Sequence, residues 1–258
     1  VQHESKVALV TGASKGVGKG IALGLARAGF GVIVNFQADV AGAEQTAQEI
    51  RALGRDAWLA RGDVGQSADV DRIFAQAREW TPSLDVLVNN SGVQTWASLL
   101  ELDEERFDRT IRTNIKGSFL CTQRAARWMK ETGGGSIINI GSGANRTPFP
   151  NLVDYCMSKG GIDQLTRVAA VELGPLRIRV NCVAPGAIEI ERTREESPDY
   201  ASTWGRITPL GRVGQVSDVA AAVVFLADRS AEFITGQTIY VDGGLWTQGV
   251  WPYPRESS

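Results

Sequence analysis

Short apolar runs alternate with longer stretches of helical periodicity along nearly the whole chain, and no other feature narrows its possible folds as much. The runs Lys6 to Val10, Val32 to Val34, Ala57 to Ala60, Leu84 to Val88, Ser136 to Ile140, Ile178 to Val183 and Thr238 to Val241 read as strands. Helical spacing of Ile21, Leu25 and Ala28 follows the first of them. Further helices are predicted over Ala41 to Leu53, Ala68 to Trp80, near Glu104 to Thr113, Ile115 to Lys130, about Val153 to Leu173, and Val216 to Ala227. Strands that alternate with helices are joined by right-handed crossovers, and such crossovers make the sheet parallel and cover both of its faces. The expected fold class is therefore α/β, a single Rossmann-type doubly wound parallel sheet of about seven strands with helices on both faces. No linker or repeat interrupts it, so 1–258 reads as one domain. Within it, a charged loop is expected at about 186–210 and a tail with few helix or strand signals at about 243–258.

Composition removes several functions. With 43% hydrophobic and 22% charged residues the chain can bury a core, and 27 basic against 29 acidic residues leave no basic excess to neutralise nucleic-acid phosphates. The single histidine, His3, rules out Ser-His-Asp and Cys-His catalysis and His-based zinc sites, so no metal is expected and acid-base chemistry falls to Tyr, Lys or carboxylates. Cys121, Cys156 and Cys182 are widely spaced in apolar surroundings and read as unreactive thiols of a reducing compartment. No apolar run nears the roughly 18 residues of a membrane span, and no signal-peptide pattern is visible; the expectation is a cytoplasmic protein without membrane contact.

Two local patterns carry chemistry. Gly12, Gly16 and Gly18 sit at the turn between the first strand and first helix, where backbone N–H groups and the positive helix end can receive a pyrophosphate. A tight strand-to-helix turn of purely structural purpose would show the same glycines. Tyr155 and Lys159 stand four apart in a helical segment and so share a face, where the cation stabilises a phenolate able to take a proton from an alcohol. An exposed helix pair is the plainer alternative.

Taken in order, the Gly-x-x-x-Gly-x-Gly turn, Asn89-Asn90-Ser91-Gly92, Asn114, Ser142, Tyr155-x-x-x-Lys159 and Pro185-Gly186 resemble the short-chain dehydrogenases/reductases of the classical type. The resemblance runs from Lys6 to about Gly244 and implies an enzyme that moves a hydride between a nicotinamide cofactor and an alcohol or carbonyl. It implies that Tyr155 is the acid-base, that Lys159 binds the nicotinamide ribose and supports Tyr155, that Ser142 bonds the reacting oxygen, and that Asn114 holds a water leading from Lys159. Along the cofactor it implies Gly12, Ser14, Lys15, Gly16, Val17 and Gly18 at the pyrophosphate turn and Asn35 and Phe36 at the second strand end. Asp63 and Val64 would meet the adenine, and Asn90, Ser91 and Gly92 the adenosine ribose side. Pro185, Gly186 and Ile188 would flank the nicotinamide. The chain departs from the family in Ser91, where Ala is usual, and in Ile190, where many relatives carry a Thr that helps hold the carboxamide.

The choice of cofactor turns on the end of the second strand. Asp39 lies at the distance where an acid would grip the ribose 2′-hydroxyl, but it reads as the N-cap of the next helix. With no carboxylate left at the strand end and Lys15 in the glycine turn, NADP is preferred, with NAD also possible.

The substrate pocket is expected from Gln94, Trp96, Ser142, Asn145, Arg146, Asn151, Glu189 and Glu191, a polar set suited to a polyhydroxylated ligand. The chain looks similar to sugar 1-dehydrogenases of the family, so an aldose is the expected substrate. It looks almost equally similar to 3-oxoacyl carrier-protein reductases, for which Arg127, Lys130 and Arg177 offer a basic patch. A non-catalytic nucleotide-sensing or scaffold protein is the alternative of another class. A homo-oligomer, often a tetramer, is a further implication of the family, and Trp246 and Trp251 can pack across such an interface or on their own subunit.

Overall fold

The structure, a computed structural model, describes residues 6–249. Seven strands form one parallel sheet in the order β3-β2-β1-β4-β5-β6-β7. They are β1 (Val7–Val10), β2 (Gly31–Phe36), β3 (Ala57–Arg61), β4 (Val86–Asn89), β5 (Gly135–Ile140), β6 (Ile178–Pro185) and β7 (Thr238–Val241). The helices are α1 (Gly16–Arg27), α2 (Val40–Ala52), α3 (Ser67–Trp80), α4 (Glu104–Ile111), α5 (Gly117–Thr132), α6 (Val153–Leu173), α7 (Glu191–Glu196), α8 (Tyr200–Ile207) and α9 (Val216–Ala227).

The two-residue period of the strands divides the core. Ala8 and Val10 of β1 join Val32 and Val34 of β2 under α1, α2 and α9, through Ile21, Leu25, Ala47, Ile50, Val219 and Val223. Val7 and Leu9 point the other way, with Ile33, Leu87 and Ile137, and meet Ile73 and Phe74 of α3, Trp128 and Met129 of α5 and Ala169 of α6. The chain runs outward through β2 and β3, then returns to lay β4 on the other side of β1. That reversal opens a crevice above the carboxyl ends of β1 and β4, where such sheets bind ligands.

Asp39 caps α2 as its spacing predicts, its carboxylate accepting from the Gly42 amide at 3.0 Å. Two regions differ from expectation. The predicted helices around Asn114 are one continuous path in which Arg112–Lys116 forms a π turn between α4 and α5. The extra residue of such a turn lets one side chain leave the helical register, and here that side chain is Asn114. The charged stretch after Gly186 contains α7 and α8, because Tyr200, Ala201 and Trp204 recur at helical spacing and pack on Val213 and Leu245.

Burial pushes the Cys121 thiol up to about 12 and the Cys182 thiol to about 11, which keeps both protonated and unreactive. Among the described residues no helix is long and apolar enough to cross a membrane. No cluster of potential metal ligands occurs among them either. His3, Trp251 and the tail beyond Gly249 lie outside the described residues.

Candidate active site

A cleft of about 770 Å³ lies above the carboxyl ends of β1, β2 and β4. Gly12, Ser14, Lys15, Gly16, Val17 and Gly18 form its floor, and Asn35 and Phe36 one end. Asp63 and Val64 wall the same side, and Asn90, Ser91 and Gly92 close the other. Gly12 has φ +62°, and a Cβ there would sit 2.9 Å from the Ser91 hydroxyl, so the turn can pass only as glycine. Helix α1 begins at this floor with no side-chain cap and no acidic residue in its first turn, unlike α2 and α4, which Asp39 and Asp103 cap. Its first amides therefore face the cleft without a protein acceptor, as an anion site requires. The cleft and its helix end fit the dinucleotide that the sequence motifs imply.

Several of these residues shape the cleft by bonding to protein. Asn35 accepts from the Gly12 amide at 3.3 Å and donates to the carbonyls of Ala60 and Gly62, which ties β2 to the glycine turn and to β3. Asn90 donates to the carbonyls of Thr11 and Gly12, and Thr11 Oγ1 accepts from the amides of Asn90 and Ser91. Asp63 Oδ1 accepts from the Gly65 amide at 2.9 Å, a local turn bond made by a residue that also lines the cleft.

Beyond Gly92 the cleft narrows into a cavity of about 250 Å³ that brings together Ser142, Tyr155 and Lys159 with Pro185, Gly186 and Ile188. Tyr155 and Lys159 share one face of α6, with Lys159 Nζ 5.4 Å from the phenol ring centroid. Lys159 is only 5% exposed, and its ammonium donates to the Ile140 carbonyl at 2.7 Å. That one bond leaves two donor positions for other partners. Ser142 follows β5 in extended conformation and accepts from the Ala144 amide.

The start of α6 is held from below. Asp154 accepts from the Tyr155 amide at 2.7 Å and from the Thr110 hydroxyl at 2.6 Å. Asn114, 1% exposed, donates to Ser158 Oγ, which donates to the Tyr155 carbonyl. Both ends of the Asn114 carboxamide also bond Val93, accepting from its amide at 2.8 Å and donating to its carbonyl at 2.9 Å. Its side chain thus clamps the loop after β4 to α6.

A third cavity, of about 660 Å³, opens beyond Tyr155. Gln94, Trp96 and Ser142 line it, but the other residues expected there do not. Asn145 and Arg146 turn toward β7, because the chain enters a 3-10 turn at Gly143. Asn145 accepts from the Tyr240 hydroxyl at 3.1 Å, and the Arg146 guanidinium lies 5.8 Å from that ring's centroid. Asn151 is an exposed turn residue with φ +61°, and Glu189 pairs with Arg194 at 3.1 Å and Gln215 at 3.2 Å, contacts that hold its carboxyl below the usual carboxylate range. Glu191 lines the cofactor cleft instead.

The walls consist instead of Phe149, Leu152, Tyr200, Trp204 and Trp246, with Arg192, Thr193 and Glu196 from α7. Arg192 lines all three cavities and Thr193 two of them, and neither stands out in the sequence because both sit in a charged run that reads as solvated surface. Trp246 packs on its own chain, 5.1 Å from Phe149 and 6.3 Å from Trp204 between ring centroids. Arg127, Lys130 and Arg177 fall at the wrong end of the sheet for the reacting centre. Arg177 precedes β6 and Lys130 lies on the last turn of α5, which leads into the start of β5, whereas Ser142 follows the end of β5, about 20 Å away at 3.3 Å per residue.

Comparison with known proteins agrees with this architecture. A family model described as enoyl-(acyl carrier protein) reductase matches residues 12–246. The chain is 40% identical over 242 residues to a 3-oxoacyl-(acyl-carrier-protein) reductase of Staphylococcus aureus, covering 94% of this chain and 98% of that one. A putative short-chain alcohol dehydrogenase from Sinorhizobium meliloti superposes with a TM-score of 0.89 at 37% identity, over 94% of this chain and 96% of the other. A gluconate 5-dehydrogenase from Burkholderia cenocepacia, crystallised with NADP and tartrate, gives 0.88 at 33% identity over 95% and 96%. With the glycine turn, the Asn114 clamp and the Ser142, Tyr155 and Lys159 cavity in one connected cleft, these matches over nearly the full length establish that the chain belongs to the short-chain dehydrogenase/reductase family.

Proposed function

We propose that this oxidoreductase uses NADP(H) to interconvert a 3-oxoacyl group and its secondary alcohol. The observation that carries the reading is the outer cavity, which Trp96, Phe149, Tyr200, Trp204 and Trp246 line and where several polar side chains already have partners. The Thr193 hydroxyl bonds the Ile190 backbone, Ser197 bonds Asp199, and Arg192 pairs with Glu196 at 3.6 Å. A polyol would find partners for only some of its hydroxyls there, and each one buried unpaired costs about 1–3 kcal/mol. An acyl chain loses nothing. The 3-oxoacyl reductase relative supports the same direction.

When bound, the nicotinamide supplies the hydride in reduction and accepts it in oxidation. The protein's part is to position and to move a proton. Tyr155 gives its phenolic proton to the carbonyl oxygen as that oxygen becomes an alcohol, and Ser142 fixes the oxygen by a hydrogen bond. Lys159 uses its remaining donors on the ribose and on the phenolate that results. Asn114 keeps Val93 and the first turn of α6 in register. Lys15, exposed at the glycine turn, meets the 2′-phosphate, while Asp39, which also lines the cleft, has one carboxylate oxygen engaged with the Gly42 amide.

A second reading, oxidation of an aldose at its anomeric carbon, is favoured by Gln94 and by Trp96, whose 62% exposure leaves a ring face open at the cavity. The gluconate 5-dehydrogenase neighbour points the same way. One comparison separates the two: turnover of an acetoacetyl thioester with NADPH against turnover of hexoses and deoxyhexoses with NADP⁺. Efficient reduction of the thioester with inert sugars is expected, and the reverse pattern overturns the reading. Turnover of either kind excludes a non-catalytic sensor or scaffold.

Cofactor preference is measured by calorimetry. NADP is expected to bind more tightly than NAD, and Lys15→Ala to narrow the difference by about tenfold through loss of one charge-assisted contact. Tighter binding of NAD by the unmodified protein overturns the preference.

A further inference from the structure

Proton transfer and hydride transfer need only the inner cavity, yet besides Tyr155 the chain brings five aromatic side chains from four separate segments to the outer one. Trp96 follows β4, Phe149 follows β5, Tyr200 and Trp204 lie on α8, and Trp246 follows β7. Three of these rings stand nearly perpendicular to one another. Phe149 and Trp246 are 5.1 Å apart at 74°, Phe149 and Trp204 6.4 Å at 72°, and Trp204 and Trp246 6.3 Å at 70°. Tyr200 extends the set, 6.2 Å from Trp204.

The three rings of this corner meet one another by edge-to-face packing. Trp246 Nε1 is buried without a hydrogen-bond partner, which is a cost the fold accepts to place the indole there. The ring lies against Gly143, where even a methyl group would overlap it. Rings set edge to face present both negative faces and positive edges, so an incoming aromatic ring can stack on one wall while meeting the edge of another. A saturated chain gains the burial but not this quadrupole match.

We infer that the carbonyl substrate carries an aromatic ring, seated in the corner of Phe149, Trp204 and Trp246 while its carbonyl lies at Tyr155 and Ser142. The inference rests on the reading of the site as a 3-oxoacyl reductase and names the chain that the acyl group bears. In the step, the carbonyl carbon gains a hydride from the reduced nicotinamide and the oxygen gains the Tyr155 proton, giving the aryl-bearing secondary alcohol and the oxidised cofactor.

The test uses the full chain, NADPH and three ethyl β-keto esters: one ending in a phenyl ring, its cyclohexyl counterpart, and a straight alkyl ester. The phenyl and cyclohexyl esters have the same connectivity and an unconjugated carbonyl, so their ratio isolates aromaticity. The expected result is a kcat/KM about tenfold higher for the phenyl ester than for the cyclohexyl ester. Trp204→Leu is expected to bring that ratio toward one, and Trp204→Phe to keep most of it. If all three esters are reduced and the phenyl ester has no advantage in the unmodified protein, the inference fails while the reductase reading stands. A phenyl preference that persists in both Trp204→Leu and Trp246→Leu also defeats it. If every ester is inert while hexoses are oxidised, both readings fall. The ratio in the unmodified protein decides the matter even where a variant does not fold.

Discussion

Tyr155→Phe is expected to lower kcat by roughly 10²–10⁴-fold, the usual worth of a positioned acid-base group, and to leave cofactor affinity essentially unchanged. The substitution removes one oxygen and keeps the ring, so the contact between Lys159 and the ring face, at 5.4 Å, survives. The Tyr155 amide still donates to Asp154 and its carbonyl still accepts from Ser158, so the first turn of α6 stays in place. The glycines of the turn lie outside the cavity that Tyr155 lines, where the turn contributes Val17, and the substitution leaves the turn untouched, so binding of the dinucleotide is spared. Stopped-flow turnover together with cofactor titration checks both halves. Near-normal turnover in the variant would remove Tyr155 from the mechanism and leave its placement beside Lys159 a matter of packing.

Lys159→Met should damage two quantities together, cutting kcat/KM by about 10²-fold or more and weakening the cofactor by about 10–100-fold, since hydrogen bonds from a charged donor are worth about 1.5–3 kcal/mol. Met fills the buried volume but leaves the Ile140 carbonyl without its 2.7 Å partner. Some stability is therefore lost as well, and a melting curve distinguishes that loss from the functional one. The informative readout is the split between cofactor KM and kcat. A lysine that merely props β5 against α6 would lower the melting temperature and move neither kinetic constant. Loss of cofactor affinity with unchanged kcat would confine it to the ribose.

The limits of legibility follow from the range over which each signal acts. The strands, the helix spans, the Asp39 cap and the shared face of Tyr155 and Lys159 were all readable, because each depends on residues within a turn or two of one another. The glycine turn was readable for the same reason, as a strand end, three glycines and a helix start within one short segment. Asn35, near the end of β2, lines the cleft, and its amide also bonds Gly12, Ala60 and Gly62, partners that only strand pairing brings near. Asn114 likewise needed the π turn to reach Val93 and Ser158.

The substrate side was the least legible. Asn145, Arg146, Asn151 and Glu189 have the right chemistry for a sugar and the wrong directions, and the basic patch of Arg127, Lys130 and Arg177 lies at the far end of the strands. Direction at the end of a strand is set by loop geometry, and loop geometry is set by what packs across from it. Local periodicity, caps and turn chemistry determined the sheet, the dinucleotide turn and the Tyr-Lys pair in the sequence itself. The aromatic corner of Phe149, Trp204 and Trp246 was decided only by the tertiary structure, because three rings far apart along the chain become one wall only when β5, α8 and the segment after β7 close over the same cavity.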